Sequence, residues 1–280
     1  MKDKILEQAS KGKGTEEKLN LLRESLHHLI LQEADRKQAF SQICFLGGTA
    51  LRIVYGLNRF SEDLDFSLSG ETARNFQLEP LAKGIGRSLD AFGVNCKVEK
   101  FKTVGAVQSC FFSFQGLLHE TDRHFRDTQK LSIKFDVDTR PPAGAVETAS
   151  PVTSWRVYKV RHYDLPSLFA GKLHAVLYRT HTKGRDLYDF LWYAGKRVQA
   201  NGLLLANAIE QTQKTRIQLT DEILRRLLAE KFGGIDFEKA KKDAAPFLED
   251  PGSLSLFDRS IFLNAAEKVS LDRPSRLDAT

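Results

Sequence analysis

The chain has 280 residues, 41% of them hydrophobic and 28% charged, with 42 Lys and Arg against 36 Asp and Glu for a net charge of +6. This length can bury a substantial core in one large domain or two modest lobes, and the composition excludes disordered and membrane classes. No apolar run approaches the roughly 20 residues of a membrane span, and the mixed-charge start MKDKILEQASKGKG carries no secretion or transit signal, so a cytoplasmic protein is expected.

From Thr15 an apolar set, Leu19, Leu22, Leu26, Leu29 and Ile30, recurs at helical spacing, with Glu16 and Glu17 in the first turn. A short apolar strand over 43–46 meets Gly47-Gly48, and Thr49 is expected to open a helix to about residue 55. Residues 63–68, DLDFSL, alternate as a strand. The spacing predicts a helix over 73–92 with Phe76, Leu81, Ile85, Leu89 and Phe92 buried. Strands follow at 96–103, 107–115 and 130–138. In the last, Leu131, Ile133, Phe135 and Val137 share one face, and Ser132, Lys134, Asp136 and Asp138 the other. Pro141-Pro142-Ala143-Gly144 is the clearest break, and Pro151 and a strand at 155–160 precede a change of character. From Asp164 the pattern is helical, at 165–180, 185–199, 203–214 and 220–231, with Lys239 to Lys242 in a basic, less ordered tail region. The expected fold is α+β and bilobal. A mixed-sheet lobe with an N-terminal helix covers 1–160, and a helical lobe covers 161–280.

Two carboxylates at i and i+2 on a strand, Asp63 and Asp65, point to one face and repel. They are either solvated acids on a sheet edge or ligands for a divalent cation that bridges phosphate oxygens. Asp136, on the polar face of a strand able to neighbour DLDFSL, is a third candidate ligand, with Asp138 as its competitor. The strand-to-helix turn Gly47-Gly48-Thr49 either simply reverses the chain or offers backbone N–H groups and a hydroxyl to a triphosphate. Arg59 is either a phosphate contact or a partner that holds the acidic loop. Cys44, Cys96 and Cys110 lie in apolar stretches and read as reduced core thiols, and the seven histidines show no metal spacing.

The segment 45–68, FLGGTALRIVYGLNRFSEDLDFSL, resembles the signature of polymerase-β-like nucleotidyltransferases, and more closely that of the AbiEii/AbiGii toxin nucleotidyltransferases. The resemblance runs in order through Gly47-Gly48-Thr49-Ala50-Leu51, Arg59, Ser61 to Phe66, Ile133 to Asp136, Lys172 in LFAGKLHAVL, and Gly184-Arg185-Asp186-Leu187-Tyr188-Asp189. It spans roughly 40–195; each element alone is weak and the ordered set is specific. One departure is Gly48, where the polymerase-β pattern often carries Ser, so that Thr49 must supply any hydroxyl.

The resemblance implies a bilobal polymerase-β-like nucleotidyltransferase that transfers NMP from a nucleoside triphosphate. Mg²⁺, or Mn²⁺, would be held by Asp63, Asp65 and Asp136, and Asp136 could double as general base. It implies nucleotide contacts from Gly47, Gly48, Thr49, Arg59, Lys172, Arg185 and Asp186, with Lys172 neutralising triphosphate charge. Lys172 could equally be a solvent-facing lysine, and Asp186 and Asp189, which share a helix face, could serve salt bridges, Asp189 being the more structural. The implied role is the toxin of a toxin–antitoxin pair that modifies the 3′ end of tRNA or another RNA and is silenced by a cognate antitoxin. The basic balance agrees with an RNA acceptor. Rival readings are a small-molecule or protein nucleotidyltransferase, and a non-catalytic RNA- or antitoxin-binding module on the same fold.

Overall fold

Alternation of period two builds a mixed sheet in which the seven described strands run in the order β3-β4-β5-β2-β1-β7-β6. A computed structural model describes residues 1–70 and 76–272. The chain divides into two units: Met1–Gly56, Phe60–Pro141 and Glu147–His162 form the first, and Leu57–Arg59, Pro142–Val146 and Tyr163–Thr280 the second.

In chain order the first unit holds α1 (Lys2–Ala9), α2 (Thr15–Arg36), β1 (Ile43–Leu46), α3 (Gly47–Tyr55), β2 (Leu64–Leu68), α4 (Leu78–Ala91), β3 (Cys96–Lys102), β4 (Val107–Gln115), α5 (Leu117–Thr121), β5 (Lys130–Asp138), β6 (Glu147–Thr153) and β7 (Val157–Tyr163). β2 pairs antiparallel with β1 and parallel with β5, while β3, β4 and β5 form an antiparallel meander. Packing of α4 on β3 and β4, and of α2 and α5 on β5, buries one face of this half of the sheet. Its core is aromatic: the Phe66 and Phe135 rings stack with centroids 4.4 Å apart, and Phe45 and Phe112 flank them. The three thiols are buried in this core, where loss of solvent pushes those of Cys96 and Cys110 up to about 12, as expected of inert core cysteines.

Where elements differ from expectation, the cause is local. α4 begins at Leu78 and leaves Phe76 and Gln77 outside it. Pro80 explains this, because its ring would collide with the carbonyl four residues back if the helix continued through Phe76. Residues 73–75 of the expected helix lie outside the described residues. β6, unforeseen because Pro151 lies inside it, sits at the edge of the sheet, where a missing N–H interrupts no ladder. The strand expected at 155–160 runs instead over Val157–Tyr163.

The second unit holds α6 (Leu165–Tyr178), α7 (Gly184–Gly195), α8 (Gly202–Gln213), α9 (Asp221–Gly233), α10 (Phe237–Ala244) and α11 (Arg259–Ala266). Side chains of Asp164, Asn201, Thr220, Asp236 and Asp258 accept from first-turn N–H groups of α6, α8, α9, α10 and α11, the capping expected of these residue types. The supposed basic tail at 239–242 is therefore helical. Asp236 caps it, and Ala240 and Ala244 are its buried stripe. Phe169 stacks on Tyr193, and Phe190, Phe232 and Phe262 complete the core. No helix of the described residues is long and apolar enough to cross a membrane.

Candidate active site

Parallel pairing of β2 with β5 sets Asp65 beside Asp136 and Ser67 beside Asp138. Paired residues of neighbouring strands project from the same face, so Asp136 is the acid that shares a pleat with Asp65. Asp63 lies two residues before Asp65, on the segment that enters β2. Lys134, two residues before Asp136 and on the same face, places its ammonium 2.6 Å from Asp136 Oδ2. Burial alone would lower the Lys134 pKa, but the charges of Asp136, Asp63 and Asp65 more than offset this and raise it. One fixed cation is thus in the field of all three acids. It was visible on the polar face of 130–138, and its i, i+2 relation to Asp136 was the signal for a role that the sequence reading did not assign.

Backbone geometry holds the acids in place. Gly47 opens α3 with φ +79°, and a Cβ there would overlap Asp65 Oδ2, so the close approach of turn and carboxylate requires glycine. The helix therefore starts two residues before Thr49, and its cap residue Leu46 offers the first turn no side-chain acceptor. The Thr49 hydroxyl is buried and donates to the carbonyl of Asp63. It braces the acid loop.

His27 Nε2 of α2 donates to the Glu62 carbonyl at 3.0 Å. Burial pushes the pKa of His27 down to about 3, so the ring stays neutral. Because the unfolded ring titrates near 6.5, the unfolded chain gains a proton as pH falls below that value while the folded chain does not. Stability present above pH 6.5 is lost progressively toward the folded pKa, by roughly 2–3 kcal/mol at pH 4.5. His27→Gln keeps a donor and is expected to flatten this loss, measured by urea unfolding at pH 7 and pH 4.5. Equal losses in variant and parent would remove His27 as the source.

The donor set suits a divalent cation. Its ligands are hard carboxylate oxygens, and Asp136 Oδ1 is buried with no hydrogen-bond partner, an expensive state for an anion oxygen unless something binds it. Among the described residues no three His, Cys, Asp or Glu side chains converge into a cage as they stand. Lys134 supplies the counter-charge at Asp136 instead.

The other expected residues gather in the second unit, in a buried ion network between α6 and α7. Arg59 reaches Asp189 through two parallel bonds, Nε to Oδ1 at 2.6 Å and a terminal nitrogen to Oδ2 at 2.7 Å. Lys172 Nζ lies 2.7 Å from Asp189 and 2.9 Å from Asp186, and Arg179 pairs with Asp186. Arg59 is 2% exposed and Asp189 0%, so these charges are paired inside the protein. Arg59 is therefore a partner for Asp189, a residue whose structural weight exceeds its place in the sequence reading. Lys172 is not a solvent-facing lysine. Arg185 stacks its guanidinium on Phe247 at 4.1 Å, and Gly184 packs so closely on the Ala240 carbonyl that no side chain fits.

The comparisons agree with this architecture. Among solved structures, JHP933 from Helicobacter pylori is similar at TM-score 0.51 and 19% identity, over 89% of this chain and 92% of that one. A protein described as a candidate nucleotidyltransferase from the same organism is similar at TM-score 0.50 and 18% identity, over 87% and 94%. At such identities the likeness speaks for the fold. No functionally curated protein matches the chain at a significant level. The family profile described as nucleotidyl transferase AbiEii toxin, type IV toxin–antitoxin system, matches residues 29–260. With that span containing the glycine turn, the acid strands and the ion network, the chain belongs to the AbiEii family of nucleotidyl transferase toxins.

Proposed function

We propose that this chain transfers a nucleotidyl group from a nucleoside triphosphate to a hydroxyl of RNA, the 3′ end of a tRNA, in the cytoplasm, and that a cognate antitoxin silences it. The observation that carries the proposal is the alignment of Asp65 with Asp136, with Asp63 alongside and Asp136 Oδ1 buried without a partner. Family membership supports nucleotidyl transfer in a toxin–antitoxin setting, and the net charge of +6 suits a polyanionic acceptor.

Asp63, Asp65 and Asp136 would hold Mg²⁺ or Mn²⁺, which would neutralise the triphosphate, acidify the acceptor hydroxyl and stabilise departing pyrophosphate. The chain's own groups do the rest. Gly47 and Gly48 present first-turn N–H groups of α3 to phosphate oxygens. Asp136 Oδ1 takes the proton of the attacking hydroxyl as its oxygen bonds to the α-phosphorus and the α–β bridging bond breaks. Lys134 holds Asp136 Oδ2 and so fixes which oxygen receives the proton. For Arg59, Lys172, Arg185 and Asp186 a nucleotide contact rests on the family resemblance, since their side chains are engaged with protein partners.

The test is the protein with labelled nucleoside triphosphates, Mg²⁺ and total RNA. Label on RNA that disappears with EDTA and returns with Mg²⁺ or Mn²⁺ is the expected result. Label on protein or on a small molecule instead would reassign the acceptor, and transfer untouched by EDTA would remove the metal.

A further inference from the structure

The face of β3, β4 and β5 opposite α4 breaks the alternation that a solvent-facing sheet should follow. In register, Phe111 of β4 stands beside Lys134, two pairs along from Ser109 and Asp136, with Glu99 of β3 on its other side. Phe111 is therefore on the acid-bearing face and only half-buried, while its neighbours Phe112 and Phe114 point into the core. The covered face is the other one, where Gly86 of α4 packs against Val98.

A distortion in β3 adds to this. The register of β3 slips between Glu99 and Lys102, and Lys100 adopts φ +55°, an uncommon value for a residue with a side chain. Strict alternation would send Lys100 to the α4 side with Val98. The bulge turns it over instead, so that its ammonium stands 5.3 Å above the Phe111 ring centroid. Lys102 then returns to register beside Ser109. Lys97, Lys100 and Lys130 all lie close enough to Glu99 to lower its pKa, after the larger effect of the Ser113 hydroxyl. Lys97, Lys100 and Lys130 thus share Glu99 around one aromatic ring, beside the acids and the Lys134 that pairs with Asp136.

We propose that this face is the track on which a single-stranded end of the RNA acceptor lies, with one base stacked on Phe111 and phosphates on Lys97, Lys100 and Lys130. The inference rests on the proposed transfer to RNA and adds where the acceptor binds. Lysines that follow a backbone beside an aromatic ring are the two elements of sequence-tolerant single-strand binding. Phe111 is two residues along the sheet and one strand across from Asp136, roughly 8 Å between backbones, a distance that neighbouring nucleotides of an extended strand can bridge. A terminal hydroxyl at the acids and the preceding base on Phe111 fit that spacing. Lys100 marks the ring face that a base would take, and displaced from it the lysine is placed to meet a phosphate.

The test is fluorescence anisotropy of the full chain with a labelled mixed-sequence oligoribonucleotide of about a dozen residues, sized to the single-strand footprint. The combined Lys97→Ala, Lys100→Ala and Lys130→Ala variant is expected to bind at least about tenfold more weakly and to flatten the slope of log affinity on log salt by about 2. Phe111→Ala should lose about tenfold with little change in slope. Glu99→Gln should bind more tightly, a gain that a misfolded protein cannot show. Unchanged affinity in the first two variants, or no gain in the third, overturns the proposal. So does polyglutamate binding as tightly as the oligoribonucleotide and losing affinity in the same variants, which would assign the face to protein. If RNA is labelled undiminished by the triple-lysine variant, the track is wrong and the transfer reading stands. If binding follows the expected pattern while no RNA is ever labelled, the track stands and the transfer reading fails.

Discussion

Asp65→Asn is expected to reduce nucleotidyl transfer on the order of a thousandfold or more while leaving the fold intact. The substitution keeps the size of the side chain and removes the charge that a divalent ion and its triphosphate need. Asp65 is half-buried at the edge of the glycine turn, so its amide is accommodated without a cavity. The informative comparison is between Asp136→Asn and Asp138→Asn. Asp136 shares the pleat of Asp65, whereas Asp138 lies beside Ser67 and accepts from the Arg140 N–H at 2.9 Å. Loss of transfer at 136 and near-normal transfer at 138, measured with labelled nucleotide and total RNA, is the expected outcome. The reverse would move the reacting centre two register pairs along β5.

Asp189→Ala should be the most destabilising single change in the second unit. It strips Arg59 of both its short bonds and Lys172 of one of two ion pairs, leaving two buried cations to share Asp186. Breaking a buried ion pair from one side costs about 3–5 kcal/mol, a fall of roughly 10 °C in Tm for a chain of this size. Removing both charges with Arg59→Met and Asp189→Leu should recover most of it, because the penalty comes from the unpaired charge. A drop below about 1 kcal/mol in urea unfolding of Asp189→Ala, the range of exposed pairs, would show that water reaches this network.

The pH limits of the Lys172–Asp186 pair follow from the shifts of its two members. Burial raises the Asp186 pKa, but Lys172 and Arg179 more than offset this and leave it lowered. Its contribution is present above the unfolded value near 3.9 and is lost as pH falls through the folded value. Burial lowers Lys172, but Asp186 and Asp189 more than offset it and leave it raised. That contribution is present below about 10.4 and is lost as pH rises through the folded value. Between those limits Asp186 and Lys172 are both charged.

Much of this protein is legible in its residue order. Period-two alternation marked β4 and β5 to the residue, and the apolar stripe from Thr15 marked α2, because a buried face repeats locally at the period of its own backbone. DLD on a strand, after a glycine turn and in order with the downstream motifs, pointed to the family to which the chain belongs, because that ordered set is specific where each element alone is weak. What periodicity cannot carry is register between distant strands, which is set by packing of the whole sheet. Only the folded chain decided that Asp136 and not Asp138 adjoins Asp65, and that Lys134 stands among the acids. The same holds for Arg59, whose partner Asp189 is 130 positions away, and for the bulge that lays Lys100 on Phe111. Each is a pairing of residues remote in the chain or a local departure from alternation, and its energy comes from neighbours that the linear order does not name.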